Sequence, residues 1–210
     1  MACRSTLITP CAMLATNRSQ RNVWRPLRTQ TGTAAVEFAL LVLMFLTLVL
    51  GIIEVGRLLF VFNTVHEVTR RAAAAAVNVY PRDTDATARV RQYAIFRNTP
   101  GDLVLANPVT DEHIRLDYLR SDLSVIPEAS WPADATVNRQ ICMSDPHAPT
   151  CIRFVQASIC DPADTSQCNR VTVQMLLSLI DMRVPLHRAA TIVPVESLGY
   201  VPGTMPPAVP

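Results

Sequence analysis

Hydrophobic and polar positions divide this chain into parts with different periods. Between Glu37 and Glu54 sixteen residues pass without a charge, and Thr33–Val36 extend the apolar span to about the 20 residues that cross a hydrocarbon core. Beyond Glu54 the pattern turns amphipathic. Val55, Leu58, Leu59, Phe62 and Val65 recur at steps of three and four, with Arg57, Asn63, His66, Glu67, Arg70 and Arg71 between them, which is the period of a helix burying one stripe. Ala72–Ala76 are the strongest helix formers and carry it further. The expectation is one helix from Ala34 to Val79, roughly 70 Å long at 1.5 Å per residue.

The period then shortens in stages. Asp83–Phe96 reads as a second helix, capped by Asp83 or Thr84, with Val90, Tyr93, Ala94 and Phe96 facing inward. After Pro100-Gly101 the spacing becomes two. Ile114, Leu116 and Tyr118 alternate with Arg115, Asp117 and Leu119, and Val171, Val173, Met175, Leu177 and Leu179 alternate with Thr172, Gln174 and Ser178, so both stretches read as strands. Ile152–Ile159 is a third, less regular strand, and Thr191–Val195 a fourth, placed at an edge because Pro194 lacks a donor. The architecture expected is α+β: a long N-terminal helix, a short helix and a small antiparallel sheet.

Composition sharpens the boundaries. Fourteen of the sixteen prolines lie from Pro81 onward and none between Pro26 and Pro81. Residues 1–32 carry five arginines and no acid, whereas residues 33–210 carry fourteen arginines against seventeen acids. By the positive-inside rule this keeps the N-terminus cytoplasmic and exports the remainder. The divisions are residues 1–32 as a leader, 33–54 as a membrane span, 55–80 as the outer part of the helix, 81–199 as an exported domain and 200–210 as a disordered tail rich in proline. Met13 offers an alternative start with a shorter leader.

Cysteines follow the same split, with Cys3 and Cys11 before the span and Cys142, Cys151, Cys160 and Cys168 after it. An exported quartet suits disulfides. Zinc is the competing reading, but the quartet lacks the close C-x₂₋₄-C pairs of structural zinc sites. Of the three possible pairings, Cys142 with Cys151 and Cys160 with Cys168 close the shortest loops, and each loop holds an Asp-Pro turn signal, Asp145-Pro146 or Asp161-Pro162.

Glu37 is the anomaly of the span. A carboxylate inside the end of a membrane helix costs about 2.5 to 3.5 kcal/mol on insertion scales and marks a functional residue by default; the plainer reading is a helix-end residue favoured by the dipole. Glu54 and Arg57, spaced i, i+3, can pair just above the apolar run. Enzyme chemistry finds no foothold: the chain has no Gly-rich phosphate loop, no H-E-x-x-H and no nucleophile elbow. His66, His113, His147 and His187 stand singly and read as surface residues, and neither a cofactor nor a metal is expected. The acidic exported part has no basic aromatic patch, so nucleic acid is not an expected partner.

Gly32-Thr33-Ala34-Ala35-Val36-Glu37-Phe38, preceded by arginines and followed by the apolar run, resembles the type IV prepilin processing site. The continuation Gly51-Ile52-Ile53-Glu54-Val55-Gly56-Arg57-Leu58-Leu59-Phe60 resembles the TadE-like pseudopilins of the tight-adherence (Tad) pilus. The resemblance covers about 45 residues closely. It implies cleavage after Gly32, with Thr33 as the new first residue and Glu37 as the fifth. It also implies assembly roles for Glu37, Phe38, Glu54, Gly56 and Arg57, a pilin-like plan, and a bacterial inner-membrane location with a periplasmic domain. The partners implied are the prepilin peptidase, the major pilin, other Tad pseudopilins and membrane lipid. Where the family often has a Gly in an Arg-Glu-Gly-Ala-Arg-like segment, this chain has Arg70-Arg71-Ala72. An unprocessed single-pass protein with a partner- or ligand-binding periplasmic domain is the alternative, and a membrane-tethered enzyme a third class.

Overall fold

The computed structural model describes residues 31–164, 166–175 and 183–202. The leader up to residue 30, with Cys3, Cys11 and Met13, the far end of the strand expected to reach Leu179, and the tail from residue 203 lie outside them. The chain divides into two compact units, Met1–Met44 and Phe45–Pro210. Helix α1 (Thr31–Ala76) supplies the described part of the first and opens the second. In the first unit its apolar side chains are exposed, Phe38 and Leu41 among them.

In the second unit α1 becomes one-sided. Its buried residues are Glu54, Arg57, Val61, Val65, Val68, Thr69, Ala72, Ala73 and Ala76, a stripe mostly at steps of three and four. This is rotated from the expected one: Val65 is buried, but Val55 and Leu59 are each 58% exposed. From Glu54 to Phe60 the helix is apolar on the side away from its charges as well, and the stripe that is buried is the one whose two charges are satisfied internally.

Helix α2 (Thr84–Ala94) begins as expected, with the Asp83 carboxylate accepting the Ala86 N–H at 2.8 Å. Val90 and Ala94 are buried, but Tyr93 and Phe96 are half exposed. The Arg71 guanidinium lies 4.2 Å from the Tyr93 ring centre and 4.3 Å from that of Phe96, so an α1 cation covers these aromatics in place of the core.

Strand β1 (Ile114–Leu119) pairs antiparallel with β2 (Phe154–Ile159), which pairs antiparallel with β5 (Ala190–Pro194), in the order β1-β2-β5. The register sets Tyr118 opposite Val155 and Val155 opposite Val193. Pro194 sits on the edge strand, as expected. Ile114, Ala157 and Ile159 join Val61, Val65 and Val68 in one core cluster, while Tyr118 and Val155 join Ala76 and Val77 in a second. Strand β3 (Thr172–Gln174) pairs antiparallel with β4 (Arg183–Pro185), so the described residues form two sheets where one was expected. Val171 and Val173 are buried, as their alternation required, but β3 ends at Gln174.

Helix α3 (Ala135–Ser144), between β1 and β2, was not expected from the sequence. Its residues include Thr136, Val137 and Asn138, poor helix formers, and local bonds hold it. Asp134 accepts the Val137 N–H at 2.9 Å, and the buried Asn138 accepts the Ile152 N–H at 2.9 Å. Cys142 on α3 is bonded to Cys151, and Cys160 to Cys168. Non-reducing peptide mapping should recover these two links, each contributing about 2 to 3 kcal/mol on the chain-entropy model. A Cys151 to Cys160 link, or four free thiols, would contradict the pairing.

Candidate functional site: the apolar helix and its buried ion pair

Gly32 and Thr33 fall in the first turn of α1. Both are exposed, as are Glu37 one turn further and Phe38 beside it. The carboxylate therefore stands on a helix whose neighbouring surface is Val36, Phe38, Leu40 and Leu41, all more than half exposed. Such an apolar surface is long enough to cross a membrane, and transferring each of these side chains out of water is worth about 1.5 to 3 kcal/mol. A Cβ built on Gly32, Gly51 or Gly56 meets no atom within 4 Å, so packing within the chain does not require glycine at any of them.

Glu54 and Arg57 lie at the other end of the apolar run and are buried. Arg57 Nε and Nη2 donate to the same Glu54 oxygen, at 3.1 and 2.8 Å. This draws the guanidinium back towards the apolar end of the helix. From there Nη1 donates to the Leu105 carbonyl at 2.6 Å, and Nη2 to the Gln174 carbonyl. One guanidinium thus joins α1 to the 103–106 turn and to the end of β3. Its planar fork suits this role, since a lysine ammonium presents only a point charge. Gly56, between the pair, is exposed on the opposite face.

Sequence reasoning found the pair but not its carbonyl acceptors, because a backbone acceptor leaves no mark on residue type. It also treated the histidines as solitary, whereas the fold brings His66 and His187 together with ring centres 4.3 Å apart and their Nε2 atoms within hydrogen-bonding distance. His113 is half-buried, which holds its pKa below the ordinary imidazole value, and its Nδ1 meets Thr110. Cys142, Cys151, Cys160 and Cys168 stand in the disulfides already described.

The apolar run, the carboxylate five residues beyond Gly32 and the Glu54–Arg57 pair all fall within one stretch of α1. Residues 32–74 match the TadE-like protein family. The TadE-like segment begins at Gly32 and ends beyond Arg71, so it contains every expected processing and assembly residue and relates the chain to Tad pilus proteins. The α2, α3 and sheet residues lie beyond it. No curated protein and no solved structure matches the chain.

Proposed function

We propose that the protein is a minor pseudopilin of a Tad-type (type IVb) pilus, cut after Gly32 by a prepilin peptidase and inserted in the bacterial inner membrane with its C-terminal domain in the periplasm. One observation carries the reading: the TadE-like match opens on Gly32, and the fifth residue after it is a carboxylate on an otherwise apolar, exposed helix. Its partners are the peptidase, the major pilin and the other Tad pseudopilins. The arginines before Gly32 hold the leader on the cytoplasmic side, and the glycines at 51 and 56 permit close approach of neighbouring helices in lipid.

Mass spectrometry of the protein from its host membrane tests the processing step. Wild-type protein should begin at Thr33. Gly32→Leu should accumulate a precursor heavier by about 3.5 kDa, at about 110 Da per leader residue. A wild-type protein that keeps its leader would refute this function in favour of an unprocessed single-pass protein with a partner-binding domain.

A further inference from the structure

Residues 103–110 carry no charge, and they form a turn anchored from within. Leu103, Ala106 and Val109 are buried, the Leu103 N–H donates to the Val109 carbonyl at 2.7 Å, and the Ala106 N–H donates to the Leu103 carbonyl at 3.1 Å. The two residues at the tip point outward: Val104 is 56% and Leu105 53% exposed. Leu105 also has a φ of +60°, at a turn position ordinarily taken by Gly or Asn because a side chain there is strained. In water this placement is unfavourable twice, once for the backbone and once for the exposed aliphatic side chains.

The position of the turn gives both features a purpose. Arg57 donates to the Leu105 carbonyl while paired with Glu54, so the tip sits level with the end of the uncharged run at Ile53. On the face of α1 turned away from the Glu54–Arg57 pair, the apolar surface continues through Val55, Leu59 and Phe60, exposed by 58, 58 and 47%. All these residues belong to the second unit. Glu54 and Arg57 are turned inward and bonded, and beside the exposed aliphatic and aromatic side chains the polar groups facing outward at this level are Asn107, Gln174 and Arg183.

We propose that the Val104–Leu105 tip is a second membrane contact, entering the headgroup boundary of the bilayer beside the point where α1 leaves it. The occupant is lipid, because Arg57 ties the tip to α1 about one turn from the end of the uncharged run and residues 103–110 have no charge of their own to select a protein partner. Two anchors, the helix and the tip, then fix the tilt of the domain on the membrane, where a helix alone leaves it free to pivot.

This inference rests on α1 spanning the membrane, and the test separates the two. The full chain is reconstituted in phosphatidylethanolamine and phosphatidylglycerol vesicles with acyl chains brominated close to the headgroup. Tryptophan is placed singly by Leu48→Trp, Val104→Trp, Leu105→Trp and Leu123→Trp, with the wild-type emission of Trp24 and Trp131 as the baseline. Leu123 is the control, because it too is exposed with a φ of +64° but belongs to the turn after β1, whose Leu119 end lies with the Ala76 end of α1 in the core. Peptide mapping of both disulfides verifies the fold of each variant. Emission added at 48, 104 and 105 should be quenched, as for apolar side chains in contact with acyl chains, and emission added at 123 should not change. Quenching at 48 without quenching at 104 and 105 overturns the second contact and leaves the span intact. No quenching at 48 overturns both. Quenching at 105 that fades as protein density in the vesicle rises gives the tip to a second copy, and also overturns the proposal.

Discussion

Replacing Arg57 with Leu should destabilise the folded domain by about 3 to 5 kcal/mol, the usual result of removing one member of a buried ion pair. Glu54 would then be a buried carboxylate without its guanidinium, and the Leu105 and Gln174 carbonyls would each lose a donor. Since a domain of this size has only about 5 to 15 kcal/mol of net stability, a loss on that scale is visible in a thermal melt of detergent-solubilised protein and in faster proteolysis. Glu54→Leu combined with Arg57→Leu should be milder than Arg57→Leu alone, because no uncompensated charge remains. Arg57→Lys should fall between wild type and Leu, since a compact ammonium keeps the charge but lacks the planar fork that spans Glu54 and the two carbonyls. If the double variant is as unstable as the single one, the carbonyl bonds and not the ion pair hold this corner together.

The second large effect falls on assembly. Cleavage after Gly32 would leave a positive amino group at Thr33 and, about one helical turn deeper, the Glu37 carboxylate. Neither charge is well placed alone near hydrocarbon, and pairing the carboxylate of one subunit with the N-terminus of its neighbour neutralises both while fixing the axial stagger of their helices. Glu37→Gln keeps the shape and removes the charge. The variant is expected to insert and to be cut after Gly32, yet to fail to crosslink with pilin partners. Membrane fractionation, N-terminal sequencing and crosslinking on that one variant give the three readouts. Normal crosslinking and pilus production with Gln at 37 would reduce Glu37 to a helix-end residue.

Where one face of an element is buried and the other wet, its period could be read directly. Strand β1 runs from Ile114 to Leu119 and β5 is an edge strand, both as expected, because alternation and Pro194 are local signals. The span and the Gly32–Glu37 spacing were legible for the same reason: lipid demands an uncharged run of fixed length. Three features were not. Helix α3 has weak propensity and depends on Asn138 bonding to Ile152, a partner in the connection that leads into β2. The rotated stripe of α1 defeated the rule that charge faces water, because Glu54 and Arg57 neutralise each other and Arg57 also donates to the backbone carbonyls of residues 105 and 174. Tyr93 and Phe96 looked like core, but they gain cover from Arg71, a contact that only the crossing of α1 and α2 creates.

Helix α1 contains no cysteine, and both cystines close within the domain, bridging separations of 9 and 8 residues. Tension applied along the membrane helix therefore reaches the domain through noncovalent contacts and the connecting chain after Ala76. The aliphatic stripe from Val61 to Ala76 would be loaded in shear, with many small contacts giving way together, whereas the Arg57 fork sits at the end nearest the pull and takes the strain first. Such a layout makes the attachment a mechanical fuse: the helix can slip from its seat and reseat without any bond in the cross-linked domain having to break.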